Sequence, residues 1–456
     1  MPPFLVVQID PPTREFCGDH YYRTYVPLSA LANASDLFLT ISLTSENRLR
    51  DQLLRTAHIA IINLVADVDL IPLVRYRKRL GLPTIYEWND DICNVPYWNP
   101  LYGFFSRKWV RRTIFSLAAL ADALQFSSDY LAAIYGKINK RHKVFLNHML
   151  HIGERDLSMQ ADCTEIGYGG SAGHLYDVAS IVPYLVPWLQ NRQDVRFNLM
   201  ADSFVARFFH SLDCSRFRYF PTGSIYHYYS FLNKLHIGIA PLLDIPFNRA
   251  RSDVKFLEYA AHGIAPILQD IEPYRRVVVH GRTGFLFRNS DECIGYLEML
   301  VRRPDLRKKI ALRARDYVQK KRMMVSKVKE RESFYLSLLS SRLDRSCTGD
   351  MADTIWEQVA CTNGARVEGR YVLLLPSDYE LSMRAGYSEL ACGNAESAYQ
   401  HFLRAAKKQP EQYLPYLGAS QCVPPGPERI KLLKKALRLN PGSTMAKLLL
   451  RGSDFF

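Results

Sequence analysis

The chain has 456 residues, too many for one ordinary domain, so two or three are expected. Its 48% hydrophobic and 23% charged residues are those of a globular protein with large cores, which excludes a disordered or fibrous chain. The formal charge of +14 calls for anionic partners, and nine scattered cysteines, never spaced as C-x-x-C, argue against a disulfide framework or zinc cluster and for a reducing compartment.

Met1-Pro2-Pro3 leads straight into the apolar run Phe4–Asp10, which lacks a basic leader and is too short for a signal sequence. No later run is long enough to span a bilayer, so a cytoplasmic location is expected, and the basic charge also suits peripheral contact at an inner-membrane surface. Phe4–Asp10, Leu37–Leu43, Ile59–Val65, Thr84–Asn89, Ala123–Ser127 and Lys143–Asn147 are short and rich in β-branched or aromatic residues, and read as strands. Helix-like stretches such as Tyr21–Ala32, Ser106–Ala121 and Ser128–Tyr135 separate them, the pattern of a parallel sheet covered by helices.

The alternation restarts near residue 160 with strands expected at Glu165–Tyr168, Arg196–Ala201, Phe217–Phe220, Ile237–Leu242, Ala265–Gln269 and Phe285–Phe287. Two such units imply an α/β chain of two doubly wound, Rossmann-like domains facing each other across a cleft. The expected division is an N-terminal domain over 1–155 and a second domain over 156–342, ending in a basic helical run from Pro304. Residues 343–378, with the apolar run Tyr371–Leu375, form a linker of unassigned structure. From Tyr379 to Phe456 small residues recur at helix-crossing spacing, and Pro410 and Pro441 close each unit, as helix–turn–helix repeats of the tetratricopeptide type require.

Ser252-Asp253-Val254-Lys255-Phe256-Leu257-Glu258-Tyr259 opens a helix that Gly263 can end in a left-handed turn before Ala265-Pro266-Ile267-Leu268 resumes as a strand. With Ser252 as the N-cap, Lys255 falls at the third helical position, where a capping box carries Glu or Gln. A cation there is unfavourable unless an anion sits in front of the helix. Lys255, with Arg249 and Arg251 upstream, therefore points to a bound diphosphate, and Glu258 could accept from ribose hydroxyls. The bland alternative is a capped core helix with an incidental lysine.

Ile166-Gly167-Tyr168-Gly169-Gly170-Ser171-Ala172-Gly173-His174-Leu175-Tyr176-Asp177 occupies the first strand-to-helix turn of the second domain. Gly169, Gly170 and Ser171 there can aim backbone N–H groups at an anion, while His174 and Asp177 at helical spacing read equally as a functional pair or a solvated cap pair. In the first domain, Cys17-Gly18-Asp19-His20 follows the first strand and Tyr86-Glu87-Trp88-Asn89-Asp90-Asp91 ends the fourth. Ligands of open α/β sheets bind beyond the carboxyl ends of strands, so His20, Asp90 and Asp91 are acceptor-side candidates for orienting a hydroxyl. Two adjacent carboxylates with no third ligand do not make a metal site.

The Ser252 cluster resembles the S-P-x-K-x-x-E-Y donor motif of many family 4 glycosyltransferases, which have the GT-B fold of two facing Rossmann-like domains. The turn at Ser171–Asp177 resembles the G-S-x-x-H-x-x-D turn of a bacterial branch of that family, and Tyr86–Asp91 its Y-E-x-D-D segment. Ile271-Glu272-Pro273-Tyr274-Arg275 and Gly281-Arg282-Thr283-Gly284-Phe285-Leu286 resemble its I-x-P-Y-R and N-G-x-T-G-x-L stretches, in the family's order. The chain departs from the pattern where Asp253 replaces the usual Pro and where Ala250 stands at a carboxylate position of the Glu-x7-Glu pair, leaving Asn248 or Arg249 as its replacement near the transferring sugar.

The resemblance covers about residues 1–340 and implies transfer of a sugar from a nucleotide diphosphate donor to an acceptor hydroxyl, with retention of configuration and without a metal or other cofactor. Lys255, Arg251, Asp90 and His20 then act in the chemistry, and Gly169, Gly170, Ser171, His174, Asn248, Ser252 and Glu258 hold the donor. The acceptor is a glycan or protein, with a protein partner expected on the C-terminal repeats. The alternative is a non-catalytic repeat scaffold that carries a degenerate transferase core. Nucleic acid is not expected, because the basic run Arg302–Arg331 lacks interleaved aromatics.

Overall fold

The protein is described from a computed structural model covering residues 3–11, 18–153, 163–339 and 345–452. Cys17 and the expected boundaries at 155/156 and 342/343 lie outside the described residues. The chain forms two compact units: residues 1–93, 103–145 and 328–456 make the first, residues 94–102 and 146–327 the second.

The first unit holds an eight-stranded sheet in the order β13-β14-β2-β1-β3-β4-β5-β6. Its strands are β1 (Phe4–Asp10), β2 (Phe38–Thr44), β3 (Ile59–Asn63), β4 (Thr84–Trp88), β5 (Ala123–Phe126), β6 (His142–Val144), and two from the C-terminal part, β13 (Ala365–Glu368) and β14 (Tyr371–Leu374). β1 to β6 are parallel to their neighbours, and every residue of β1 to β5 is buried. Parallel strands covered by helices on both faces read as near-continuous apolar runs, and for that reason β1 to β5 were legible to within a few residues; β6, which is only partly buried, overlaps the expected segment at Lys143–Val144.

The stretch expected to be an unassigned linker contributes a helix, Arg345–Ala360, and the hairpin β13–β14. β14 lies parallel to β2 with Tyr371 opposite Thr40 and Leu373 opposite Ser42, and the Tyr371 and Ser42 hydroxyls are 2.7 Å apart. The run Tyr-Val-Leu-Leu is fully buried because it covers an edge that β2 would otherwise expose.

The helices Asp378–Ala391, Ala395–Lys408, Leu414–Cys422, Pro427–Leu439 and Thr444–Leu450 complete this unit. Ser377 and Glu380 form a capping box, and Glu380 Oε1 also accepts from Thr44 Oγ1 (2.7 Å) and Asn47 Nδ2 (3.2 Å) at the end of β2. Asp69 accepts from Ser443 Oγ (2.8 Å), Met445 N (3.2 Å) and Tyr413 Oη (3.1 Å), and so caps the last helix. Residues 379–450 are thus hydrogen-bonded into the first unit and do not hang from it.

The second unit is a six-stranded parallel sheet in the order β12-β11-β10-β7-β8-β9. The strands are β7 (Thr164–Gly169), β8 (Val195–Ala201), β9 (Phe217–Pro221), β10 (Ile237–Ala240), β11 (Ala265–Gln269) and β12 (Phe285–Phe287), again close to the expected segments. Counted within this sheet, the order is 3-2-1-4-5-6, the Rossmann arrangement, whose direction reverses between β7 and β10. The basic run becomes the helices Pro304–Lys321 and Val328–Leu338; the first belongs to the second unit, the second to the first.

Candidate functional site

In the second unit the chain leaves β7 through Gly169–Asp177 and leaves β10 through the loop that ends at Asn248–Ser252, the two edges of the switch point. Ligands of such sheets bind there because the loops on either side diverge and open a crevice. Gly169 and Gly170 are required by packing. A Cβ on Gly169 would lie 2.4 Å from the Tyr228 ring, and one on Gly170 would lie 2.3 Å from the Tyr168 hydroxyl. The Gly170 N–H donates to Met200 O (3.0 Å) and the Ala172 N–H to Asp202 Oδ2 (2.6 Å), so Gly170 does not aim its N–H at an anion as its sequence context had indicated.

His174 and Asp177 are a built pair and not a solvated cap. His174 Nδ1 is 2.8 Å from Asp177 Oδ2, and Asp177 Oδ1 accepts from Leu243 N (2.8 Å) and Asn248 Nδ2 (2.9 Å). Asp177 therefore ties the β7 turn to the β10 loop. Burial lowers the His174 pKa below its usual range; its bond to Asp177 opposes this, while Arg251 and Lys255 reinforce it. The ring is thus neutral at neutral pH, with the Nδ1 proton held by Asp177 and Nε2 left as the acceptor. Asn248 is buried in this network, Arg249 is tied on the surface to Asp244 at 2.6 Å, and Ala250, where the motif carries a carboxylate, is fully buried.

The helix that carries Lys255 spans Val254–Ala261 and begins one residue later than Ser252 capping would have it. Asp253 is at the N-cap position but makes no side-chain cap; it is buried in a two-point ion pair with Arg322. Ser252 Oγ accepts instead from Asn147 Nδ2 at 3.0 Å. Lys255 is therefore the second helical residue. Its Nζ lies 3.1 Å from Glu258 Oε2 and 2.8 Å from the Tyr228 hydroxyl, which itself donates to Glu258 Oε2 at 2.9 Å. The expected Lys255–Glu258 face is present, and the ammonium already has an anionic neighbour in Glu258. Gly263 does end the helix, at φ +66°.

Arg251 is different. It is half-buried, its guanidinium stacks over the Phe247 ring at 4.6 Å, its Nε is buried without a partner, and it forms no ion pair among the described residues. A half-buried cation without an anion costs free energy, which an anionic ligand would offset.

In the first unit the order 2-1-3-4-5-6 among β1 to β6 puts the switch point between β1 and β3. His20 is buried there, with Nε2 3.9 Å from Asp10 Oδ2 at the end of β1. Asp10 Oδ1 accepts from Thr24 Oγ1 (2.7 Å) and Asn63 Nδ2 (2.6 Å), and burial raises its pKa while His20 opposes the shift. Leu64, just after β3, has a φ of +48°, a strained conformation for a leucine at this switch point. Asp90 accepts from Asp91 N at 3.0 Å, whereas Asp91 is fully buried and receives the Tyr135 hydroxyl, so Asp91 is an internal anchor and not an exposed candidate. Asp10 and Tyr228 were missed by sequence reasoning. The one available sign for Asp10 was its place at the end of β1, and Tyr228 lay among the other tyrosines of the helix Ile225–Leu232.

No family profile matches the sequence and no curated protein matches it. The fold has solved counterparts among GT-B glycosyltransferases. Anabaena HepE, solved in complex with UDP-glucose, superposes with a TM-score of 0.53 at 12% identity, over 72% of this chain and 99% of that one. A glycosyltransferase from Rickettsia africae gives 0.52 at 14% identity over 74% and 99%, and the sucrose-phosphate synthase of Thermosynechococcus elongatus gives 0.52 at 12% over 74% and 99%. The chain thus has a mixed α/β fold with the parallel sheets of GT-B glycosyltransferases, extended by C-terminal helices.

Proposed function

We infer that the protein transfers a sugar from a nucleoside diphosphate sugar to an acceptor hydroxyl. The observation that carries this reading is Arg251, a half-buried cation with no ion pair among the described residues at the switch point of a Rossmann sheet, beside His174 and the Lys255–Glu258 face. In this reading a diphosphate supplies the missing anion and Glu258 accepts from a ribose. HepE was solved with UDP-glucose, which makes that donor the first to test.

In the reaction the acceptor oxygen bonds to the anomeric carbon as the bond from that carbon to the β-phosphate oxygen breaks, and the diphosphate leaves with the electron pair. Arg251 and Lys255 stabilise the charge that grows on it, commonly the largest single contribution to such catalysis. The acceptor proton is lost to a base; His174 Nε2 and the Asp10–His20 pair are the candidates, with Asp90 orienting the hydroxyl. The amides of Ser171 and Gly173 are the ones in the β7 turn available to phosphate oxygens. Retention of configuration and membership of family 4 rest on the sequence motifs. No metal or further cofactor enters the scheme.

The C-terminal helices we read as tetratricopeptide-like repeats that bind a protein partner or acceptor. Glycines at crossings support this: a Cβ on Gly386 would come within 2.7 Å of the Phe402 ring and one on Gly418 within 2.5 Å. Peripheral membrane contact from the cytoplasmic side remains part of the proposal through the charge of +14. Among the described residues no helix is long and apolar enough to cross a membrane.

The test is purified protein with UDP-glucose, read by calorimetric binding and by UDP release with and without a glycan acceptor. Binding with turnover supports transfer. Ala250, buried where the motif carries a carboxylate, favours the second reading, a scaffold with a degenerate core, and that reading predicts UDP binding without turnover.

A further inference from the structure

The segment Asn94–Tyr102 belongs to the second unit, carries no charged side chain, and presents Tyr97, Leu101 and Tyr102 to solvent at 68%, 49% and 43% exposure. Tyr97 and Trp98 meet edge-on with centroids 4.9 Å apart, and Trp98 lies 4.7 Å from the ring of Tyr176, itself 42% exposed. The Tyr97 and Tyr176 rings are 6.3 Å apart. Rings fixed against one another in water are a patch kept for contact and not a stray exposed residue.

The patch is fastened to the turn that carries the candidate site. Asn99 is buried, accepts from Leu101 N at 2.9 Å through Oδ1, and sets its Nδ2 only 2.8 Å from where a Cβ on Gly173 would be. A side chain at 173 would meet the tip of the Asn99 amide. Tyr176 stands between His174 and Asp177, so the ring cluster and the His174–Asp177 pair are positioned by the same residues.

We propose that Tyr97, Trp98 and Tyr176 form a stacking platform for a pyranose ring of a saccharide acceptor. A pyranose offers one face of C–H bonds to the negative face of an aromatic ring and a rim of hydroxyls to the tyrosine oxygens, which is the amphipathic match these residues make. A lipid surface would also suit exposed aromatics, but membrane-seeking patches carry Lys or Arg beside the rings, and Asn94–Tyr102 has none. The role as acceptor rests on the glycosyltransferase reading; the binding of a saccharide does not.

The experiment titrates the full chain by calorimetry with maltohexaose, cellohexaose and chitohexaose, and separately with UDP. Saturable binding of at least one hexasaccharide is expected. Tyr97→Ala should weaken it about tenfold or more, with Tyr97→Phe restoring most of it and UDP affinity unchanged in both. The proposal is overturned if none of the three binds, if Tyr97→Ala binds as the parent does, or if Tyr97→Ala instead abolishes sedimentation with phosphatidylcholine–phosphatidylglycerol vesicles. Saccharide binding without UDP binding would remove the glycosyltransferase reading and leave the platform standing.

Discussion

Glu46, Arg50, Asp67, Asp69 and Glu380 lie together where the C-terminal helices meet the first sheet; His174, Asp177, Arg251, Lys255 and Glu258 lie together at the switch point of the second. The first group has an excess of acid that is met mostly inside the protein, with Glu46 Oε2 buried and without a hydrogen-bond partner. Arg50 pairs with Asp67 at 2.6 Å, Asp69 and Glu380 take hydrogen bonds from helix caps and from β2, and burial pushes the Glu46 pKa up to about 8, which keeps it protonated at neutral pH. The second group has two cations and two carboxylates but leaves one cation unpaired: Lys255 is paired with Glu258, Asp177 is committed by hydrogen bonds to His174, Leu243 and Asn248, and Arg251 has no ion pair among the described residues. Ionisable clusters that close on themselves hold structure together, and one that leaves a charge over marks a place for a ligand.

Breaking the second cluster should cost function first. Lys255→Met should lower turnover by about 10²–10³-fold, because the leaving diphosphate loses a cation where its charge grows. Since the ammonium is paired with Glu258, the variant should also be less stable without ligand, the reverse of what an unpaired cation at a helix start implies. A fully active variant measured by UDP release would place the chemistry elsewhere.

In the first cluster, Glu46 makes stability depend on pH. Its folded pKa of about 8 lies above the ordinary value of 4.5, so the folded state holds the proton more tightly and stability is lost as pH rises through that window. Glu46→Gln should be more stable than the parent by a few kcal/mol at pH 9 and nearly equal to it at pH 5 by urea unfolding. A gap that does not change with pH would mean that the carboxyl is not the titrating group.

A smaller loss is expected from Glu380→Ala, which removes the capping box and the bonds from Thr44 and Asn47: about 2–3 kcal/mol of stability, with UDP affinity unchanged. Loss of UDP affinity in a folded variant would show that the helices and the donor site are coupled. Tyr228→Phe should have the smallest effect, a rise of about fivefold in the donor KM with kcat unchanged, since only the hydroxyl that aligns Lys255 and Glu258 is removed. A fall in kcat at constant KM would instead put the hydroxyl in the chemistry.

What was legible in the sequence follows from how local each signal is. Most of β1 to β12 could be read because buried parallel strands are short apolar runs between turns, while β6 and β9, which are largely not buried, were marked by their aromatic and β-branched residues. β14 was visible as Tyr371–Leu375 yet had no place, because its partner β2 lies more than three hundred residues earlier and no periodicity reports such pairing. The Lys255–Glu258 face and the His174–Asp177 pair were found at helical spacing. The N-cap was misplaced by one residue because Asp253 serves Arg322, a contact set by the packing of the Pro304–Lys321 region. Asp10 bonds to Thr24 and Asn63, and Tyr228 to Lys255 and Glu258, all more than ten residues away in sequence, and nothing adjacent to them announced it.

The central claim is that Arg251 waits for a diphosphate, and calorimetry of UDP binding to the parent and to Arg251→Met tests it most directly. The account predicts that the parent binds UDP, that the variant binds about 10–100-fold more weakly, and that its melting temperature without ligand is unchanged or higher. Equal affinity in the two proteins, or a variant that melts lower and binds UDP normally, would show that Arg251 is a structural residue and contradict the account.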